Sequence, residues 1–155
     1  MSEKKILCIC LGNICRSPIA EAVFAKLIKE RGLDETWSVD SAALGSWHVG
    51  NSPDPRALST LKKHKVPYNN RARQITKGDF EKFDYIFGMD DENMSALQHK
   101  APKSSKAELL LLGSFDPEND RIIRDPYYDD GDAGFEKCYQ QCMRSCAAFL
   151  DKHAA

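Results

Sequence analysis

Two cysteines, an arginine and a serine lie within one short turn, "CLGNICRSP", which runs from Cys10 to Pro18. The turn follows an apolar stretch, "KILCICL", that predicts a buried strand, and it precedes apolar residues at helical spacing. At the start of a helix the free backbone N–H groups and the helix dipole both favour an anion. The turn is therefore a candidate binding site for a phosphate-like oxyanion.

The side chains of this turn could also react with the bound anion. Cys10 ends the predicted strand, and donors around its sulfur would stabilise the nucleophilic thiolate. Arg16 offers a planar fork that can bind two oxygens of one phosphate group. We expect Gly12 and Asn13 to adopt positive φ angles and Ser17 to cap the helix. Together these residues predict phosphoryl transfer through a cysteine.

The spacing of Cys10 and Arg16 alone is weak evidence, because Cys138 and Arg144 repeat it. The second pair lies within a predicted helix, where residues six apart face different directions and cannot close around a ligand. Cys10 could also be a buried thiol and Arg16 a surface charge, which is the usual fate of such residues. The combination of strand, glycine, arginine, serine and proline favours the phosphate-binding turn.

The rest of the chain alternates predicted strands and helices. The predicted strands are 5–11, 37–43, 84–89 and 107–113; predicted helices begin near Pro18, Asp54 and Asp90 and cover 135–152, and Gly32 ends the first one. This order predicts an α/β fold with a parallel sheet covered by helices on both faces. Ligands of such folds bind beyond the carboxyl ends of the strands. The turn and the loop after the fourth strand should meet at that edge.

Composition limits the classes of partner and site. With 155 residues and a formal charge of -1, we expect one domain over 1–155 that binds neither nucleic acid nor a membrane. No apolar run is long enough for a signal peptide or a membrane span, which predicts a cytoplasmic protein with reduced thiols. No metal site is expected, because the chain has no CxxC pair and its histidines are scattered: His48, His64, His99 and His153.

The turn resembles the signature of the low-molecular-weight protein tyrosine phosphatases, and the resemblance covers nearly the whole chain. The segments that resemble this family, in the family's order, are "GNICRSPIAEAVF", "VDSAA", "ARQIT", "FDYIFGMD", "LLGSFDP", "DPYYDD" and "FEKCYQQC". The resemblance implies a doubly wound α/β fold with a four-stranded parallel sheet. It also implies hydrolysis of phosphotyrosine and small aryl phosphates, an acid phosphatase activity, through a phosphocysteine and without a cofactor. Expected partners are phosphotyrosyl proteins or peptides and inhibitory phosphate-like oxyanions, and we expect a monomer.

Displacement by a thiolate leaves an aryloxide that must be protonated, so a carboxylic acid should lie opposite the turn. "RDPYYDD" supplies Asp125, which occupies the position of the family's general acid, and Pro126 restricts its backbone. Alternatively, Asp125, Asp129 and Asp130 are only solvated loop charges. The cysteine motif favours the catalytic interpretation.

Aromatic residues are expected to set the substrate class. Tyr127 and Tyr128 resemble the aromatic wall beside the family's cleft, and Trp47 matches a position on the opposite rim. Stacking between them would favour phosphotyrosine, which is long enough to reach a deep site. Each of the three could instead be a packed loop anchor. Ile14 also indicates tyrosine, because the related arginine phosphatases of bacteria have Thr at this place.

The resemblance assigns supporting roles to further residues. Ser17 would donate to the Cys10 thiolate, Asn13 and Ser41 would hold the shape of the loop, and Cys15 could form a reversible disulfide with Cys10. The whole predicted phosphate-binding loop comprises Leu11, Gly12, Asn13, Ile14, Cys15 and Ser17. The chain departs from the family's pattern at Asn70, where a His is expected; an amide replaces only some of an imidazole's hydrogen bonds.

Two other functions stay open at this point. An arsenate reductase would need a relay of further cysteines, and it would not need the Asp-Pro-Tyr-Tyr loop. A binding module that has lost catalysis would most simply lack Cys10, Arg16 or Asp125, all of which this chain has. Cys138, Cys142 and Cys146 repeat every fourth residue, which predicts packing on one helix face rather than a relay.

Overall fold

The computed structural model describes residues 3–154, which include a sheet of four parallel strands. The strands are β1 (Lys4–Cys10), β2 (Trp37–Ala43), β3 (Tyr85–Gly88) and β4 (Glu108–Leu111), and their order in the sheet is β2-β1-β3-β4. The predicted four-stranded parallel sheet is thus confirmed. The outermost residues of the predicted domain, 1, 2 and 155, lie outside the described residues.

Helices cover both faces of this sheet, as predicted. They are α1 (Arg16–Glu30), α2 (Pro55–Lys63), α3 (Asp79–Lys82), α4 (Asp91–Lys100) and α5 (Ala133–His153). Side chains alternate along β1: Ile6 and Cys8 pack with residues of α1 and α5, whereas Leu7 and Ile9 pack with residues of α3 and α4. Burial on both faces explains why β1 is apolar almost throughout.

Two short elements were not predicted from the sequence. Helix α3 is a single turn, too short for a periodic pattern. The fourth strand ends at Leu111 rather than at Gly113, because Leu112–Phe115 form a 3₁₀ turn. A Cβ at Gly113 would collide with the carbonyl group of Arg121, so only glycine allows this close approach.

The carboxyl edge of the sheet brings together loops that are distant in sequence. Cys10 ends β1 opposite Ala43, the last residue of β2. The loop after β4 returns to the same edge, where the N–H of Ile123 donates to the carbonyl of Met89, just beyond β3, at 2.9 Å. Helix α1 starts at this edge and ends before Gly32, whose φ is +69°, as predicted. Among residues 3–154, no helix has the length and apolarity needed to cross a bilayer.

Candidate active site

The predicted phosphate-binding loop connects Cys10 to the first turn of α1, and its backbone differs from the prediction at one position. Asn13 has the expected positive φ, +58°, but Gly12 does not. Gly12 instead allows a close contact between loops: a Cβ there would lie 2.8 Å from Cδ2 of His48 and would displace that ring. The loop after β2 therefore packs directly on the phosphate-binding loop, and His48 is a neighbour that the sequence did not reveal.

The Cys10 sulfur is almost completely buried and receives two polar contacts from one residue. Ser17 Oγ lies 3.0 Å from Cys10 Sγ, and the N–H of Ser17 points at the same sulfur at 3.4 Å. The prediction that Ser17 caps α1 is wrong, because the helix begins two residues earlier than predicted, at Arg16, with Cys15 at the N-cap. The Ser17 hydroxyl is thereby free to face the thiol.

Asn13 holds the loop in shape through its amide. Its Nδ2 donates to Ser17 Oγ at 2.8 Å and to Ser41 Oγ at 2.9 Å, and its Oδ1 accepts from the N–H of Arg73 at 3.1 Å. These contacts join the turn to β2 and to the segment that follows α2. They offset the cost of a left-handed backbone at a residue other than glycine.

Behind Ser41 lies a partly buried carboxylate, Glu21, which the sequence did not reveal. It accepts from Ser41 Oγ, from the hydroxyl of Tyr68 at 2.7 Å and from Asn70 Nδ2 at 3.2 Å. Asn70 also donates to Asp40 Oδ1 at 3.1 Å, so its amide bridges two carboxylates. Burial raises the pKa of Glu21, and the hydrogen bonds from Ser41 and Tyr68 oppose this rise only in part.

Arg16 is buried, and its guanidinium lies between the carboxylates of Asp90 and Asp125. Nη1 donates to Asp90 Oδ2 at 2.6 Å and to the carbonyl of Ile123 at 3.0 Å, while Nη2 lies 3.7 Å from Asp125 Oδ2. Burial disfavours the cation, but Cys10 and the two carboxylates outweigh burial and raise the pKa of Arg16. Its buried Nε has no partner within the described residues, which leaves a donor for an incoming anion.

The structure places Asp125 beside Arg16 and in the lining of the pocket above Cys10. One carboxylate oxygen is near Arg16, and the other accepts from the N–H of Tyr127 at 3.1 Å. The side chain is one-third exposed, so a ligand and water can both reach it. Asp129, by contrast, is paired with Arg124 at 2.6 Å and does not line the pocket.

A pocket of about 440 Å³ opens above Cys10. Cys10 and the loop residues Leu11, Gly12, Ile14 and Cys15 line its base, and Trp47, His48, Asp125, Tyr127 and Tyr128 line its walls. Trp47 and Tyr128 are 69% and 89% exposed, so the alternative that they are packed loop anchors is wrong. Tyr127 is partly buried and packs against the core, so it lines the pocket and also anchors its loop.

The remaining cysteines are buried and unpaired in the described chain. Cys138, Cys142 and Cys146 lie in α5 and pack in the core, as predicted, and Arg144 binds Asp116 instead of closing around a ligand. Burial and the neighbouring Cys10 raise the pKa of Cys15 far above its ordinary value. Within residues 3–154, no group of three or more His, Cys, Asp or Glu side chains could hold a metal ion.

Comparisons with known proteins agree with this geometry. Residues 5–154 match the family model described as low molecular weight phosphotyrosine protein phosphatase. Low molecular weight phosphotyrosine protein phosphatase 1 of Drosophila melanogaster is 58% identical to this chain over 148 residues, which are 95% of each chain. The crystal structure of Primo-1 has a TM-score of 0.95 and 56% identity, over 98% of this chain and 99% of the other. That of DARP, a Drosophila arginine phosphatase, has a TM-score of 0.92 and 41% identity, over 98% of both chains. The chain belongs to the low molecular weight phosphotyrosine protein phosphatase family.

Proposed function

We propose that this protein hydrolyses phosphotyrosine in proteins and peptides, and small aryl phosphates, through a phosphocysteine intermediate. The observation that supports this most directly is that the Cys10 thiol and the Asp125 carboxyl line one pocket, while the Arg16 guanidinium lies 3.7 Å from that carboxyl. A thiol nucleophile, a cation with an unpartnered donor and a carboxylic acid are the groups that the reaction needs.

In the first step Cys10 Sγ attacks phosphorus, and the bond between phosphorus and the phenolic oxygen breaks. Arg16 and the backbone N–H groups of the loop bind the equatorial oxygens, on which negative charge is spread. Asp125 gives its proton to the leaving phenolate. Ser17, by donating to the sulfur, stabilises the thiolate form of Cys10 before the attack.

In the second step a water molecule attacks the phosphocysteine. Asp125 now takes a proton from that water, the bond between sulfur and phosphorus breaks, and phosphate leaves. Because the cycle starts with a thiolate and a protonated carboxyl, we expect maximal activity on the acid side of neutral pH. No metal takes part in either step.

Substrate choice follows from the walls of the pocket. Tyr127, Tyr128 and Trp47 offer aromatic faces to a phenyl ring, and these contacts would favour phosphotyrosine over phosphoserine. Ile14 adds an apolar contact at that base. We infer a cytoplasmic protein, which the six free thiols support, and a monomer.

The test is hydrolysis of a phosphotyrosyl peptide by the purified protein at mildly acidic pH, without added metal. Cys10→Ser and Asp125→Asn are assayed in parallel, and the matched control substrate is the same peptide with phosphoserine. We expect turnover of the phosphotyrosyl peptide only, none by Cys10→Ser, and a loss of about 100-fold or more for Asp125→Asn.

Rapid quenching of the wild type in alkaline denaturant should also trap phosphate covalently bound to Cys10. Binding of the peptide by the wild type without turnover would replace the proposal with a phosphotyrosine-binding module. Turnover by Cys10→Ser at the wild-type rate would exclude the phosphocysteine.

A further inference from the structure

Arg56, near the start of α2, lies outside the pocket and contacts the loop that follows Asp125. Its Nη1 donates to the carbonyl of Asp129 at 2.6 Å and to that of Gly131 at 3.3 Å, and its Nη2 donates to the carbonyl of Tyr127 at 2.8 Å. The guanidinium also lies over the ring of Phe135, 4.5 Å from its centroid. One side chain thus holds three carbonyls of an irregular loop.

The same guanidinium is fixed on its other side by Asp54. Nε and Nη2 of Arg56 donate to the two carboxylate oxygens of Asp54, at 3.1 and 3.0 Å. The backbone N–H of Asp54 donates to the carbonyl of Ile14 at 2.8 Å, within the phosphate-binding loop. Asp54 and Arg56 therefore connect the loop that holds the proposed nucleophile to the loop that holds the proposed acid.

The contact with Tyr127 leads directly to Asp125. The carbonyl of Tyr127 accepts from Arg56, and the N–H of Tyr127 donates to Asp125 Oδ1 at 3.1 Å. That hydrogen bond selects the rotamer in which Oδ2 faces Arg16 and the pocket. The loop has no regular secondary structure that could hold Tyr127 in place by itself.

Only an arginine can make this connection. All five N–H groups of the Arg56 guanidinium have a partner, two on Asp54 and three on the loop. A lysine has three donors that diverge from one nitrogen, so it could satisfy part of the set at best. Hydrogen bonds from Arg56 also outweigh burial and keep the pKa of Asp54 below its ordinary value, so the pair stays charged.

We propose that Arg56 is a positioning residue for the general acid, holding the Tyr127–Gly131 loop so that the Asp125 carboxyl faces the leaving oxygen. This inference rests on the proposed function, in which Asp125 protonates the leaving phenolate. Arg56 touches no reacting atom and acts through Tyr127. Its removal should therefore impair proton transfer specifically, rather than phosphate binding.

Leaving-group dependence of kcat/KM separates proton transfer from a general loss of structure. A poor leaving group, as in phenyl phosphate, needs the acid, whereas a good one, as in 2,4-dinitrophenyl phosphate, leaves without it. For Arg56→Met, which keeps an apolar chain over Phe135, we expect a fall of about 100-fold with phenyl phosphate and of less than about threefold with the dinitrophenyl ester. Arg56→Lys should recover part of the loss.

A double variant tests whether Arg56 acts through Asp125. Asp125→Asn should show the same selective loss, and adding Arg56→Met to it should cost little more, because the group that Arg56 positions is already absent. Arg144→Met is the matched control. Arg144 also donates from two nitrogens to one carboxylate, that of Asp116, but it lies on α5, away from the loop. Its two kcat/KM values should change together, if at all.

The possible outcomes are distinct. An equal loss with both esters, or a full additional loss in the Asp125→Asn background, would show that Arg56 only supports the fold and would overturn the inference. If Asp125→Asn itself had no leaving-group dependence, the proposed acid would be wrong. A wild type that hydrolyses neither ester would overturn the proposed function and this inference with it.

Discussion

Arg16 Nη1 lies 2.6 Å from Asp90 Oδ2, so a carboxylate from the connection between β3 and α4 orients the cation of the proposed phosphate site. The other oxygen of Asp90 accepts from the N–H of Asn93 at 2.7 Å and caps α4. The guanidinium is thus fixed by a rigid helix start before any ligand binds. Such preorganisation saves the entropy of ordering the side chain during the reaction.

Asp90→Asn should therefore weaken catalysis without unfolding α4, because an amide oxygen still caps the helix while the charge-assisted bond to Arg16 is lost. We expect kcat/KM for a phosphotyrosyl peptide to fall about 10-fold, and inorganic phosphate to inhibit less strongly. The control is Asp91→Asn, since Asp91 pairs with Arg121 at the surface and should be neutral. Wild-type kinetics in Asp90→Asn would contradict the prediction.

Asn70→His tests the residue at which this chain departs from its family's pattern. The Asn70 amide bridges Glu21 and Asp40, and an imidazolium there would add a cation between two carboxylates. Those carboxylates would raise the pKa of the new histidine, so its stabilisation is present below about pH 6.5 and is lost as the pH rises through the raised value. Relative to the wild type, we expect the free energy of unfolding of Asn70→His to be about 1 kcal/mol higher at pH 6 and nearly unchanged at pH 9. Asn69→His, one residue earlier and exposed, should change neither value.

Local pattern was enough to predict the turn from Cys10 to Ser17 and the sheet, because strand, turn and helix start are adjacent in sequence and have distinct signals. The partners of Arg16 could not be predicted in this way. Asp90 and Ile123 are 74 and 107 residues away from it, and nothing in the local sequence marks either as its partner. Gly12 was assigned a positive φ because glycine commonly has one; the actual cause, the ring of His48, is a contact between loops.

Cys15→Ser tests the proposed protection of the nucleophile against oxidation. Burial, together with the neighbouring Cys10, raises the pKa of the Cys15 thiol, so Cys15 reacts slowly with peroxide. We expect Cys10 to be oxidised first, to a sulfenic acid, with which the Cys15 thiol then reacts. Condensation of the two releases water and forms a disulfide that thiols can reduce. After peroxide and then dithiothreitol, the wild type should regain most of its activity and Cys15→Ser about a tenth of it. Cys146→Ala, deep in α5, should recover like the wild type; equal recovery by Cys15→Ser would contradict the mechanism.

Ile14→Thr tests the choice between phosphotyrosine and phosphoarginine, and the 41% identical arginine phosphatase makes this comparison pertinent. Ile14 lines the pocket with an apolar side chain that cannot pair with a guanidinium. A threonine hydroxyl at this place could accept from it. We expect the ratio of kcat/KM for phosphotyrosine to that for phosphoarginine to fall at least about 10-fold. Leu11→Thr, also at the pocket but 47% exposed, is the control; the same change in ratio there would remove the assignment to Ile14.

Asp116 provides a test of the fold away from the pocket. Its buried carboxylate accepts from Arg144 Nε at 2.9 Å, from Arg144 Nη2 at 3.0 Å and from the N–H of Glu118 at 2.9 Å, which joins the segment after β4 to α5. The hydrogen bonds from Arg144 outweigh burial and hold the pKa of Asp116 below its ordinary value. A lowered carboxyl pKa stabilises the protein at neutral pH, and this contribution is lost as the pH falls through the lowered value.

Asp116→Asn should accordingly lower the free energy of unfolding by about 2 kcal/mol at pH 7, because Arg144 loses its charged partner. The difference from the wild type should begin to shrink in urea titrations below about pH 4, where the carboxyl of the unfolded chain binds a proton, and should disappear below the lowered pKa of the folded state. Glu118→Gln is the matched control: Glu118 also lies beside Arg144, at 3.3 Å, but it is 66% exposed, so its loss should cost less than about 0.5 kcal/mol. A deficit of the same size at pH 7 and at a pH below the lowered pKa would mean that packing around Asp116, and not its charge, stabilises this part of the fold.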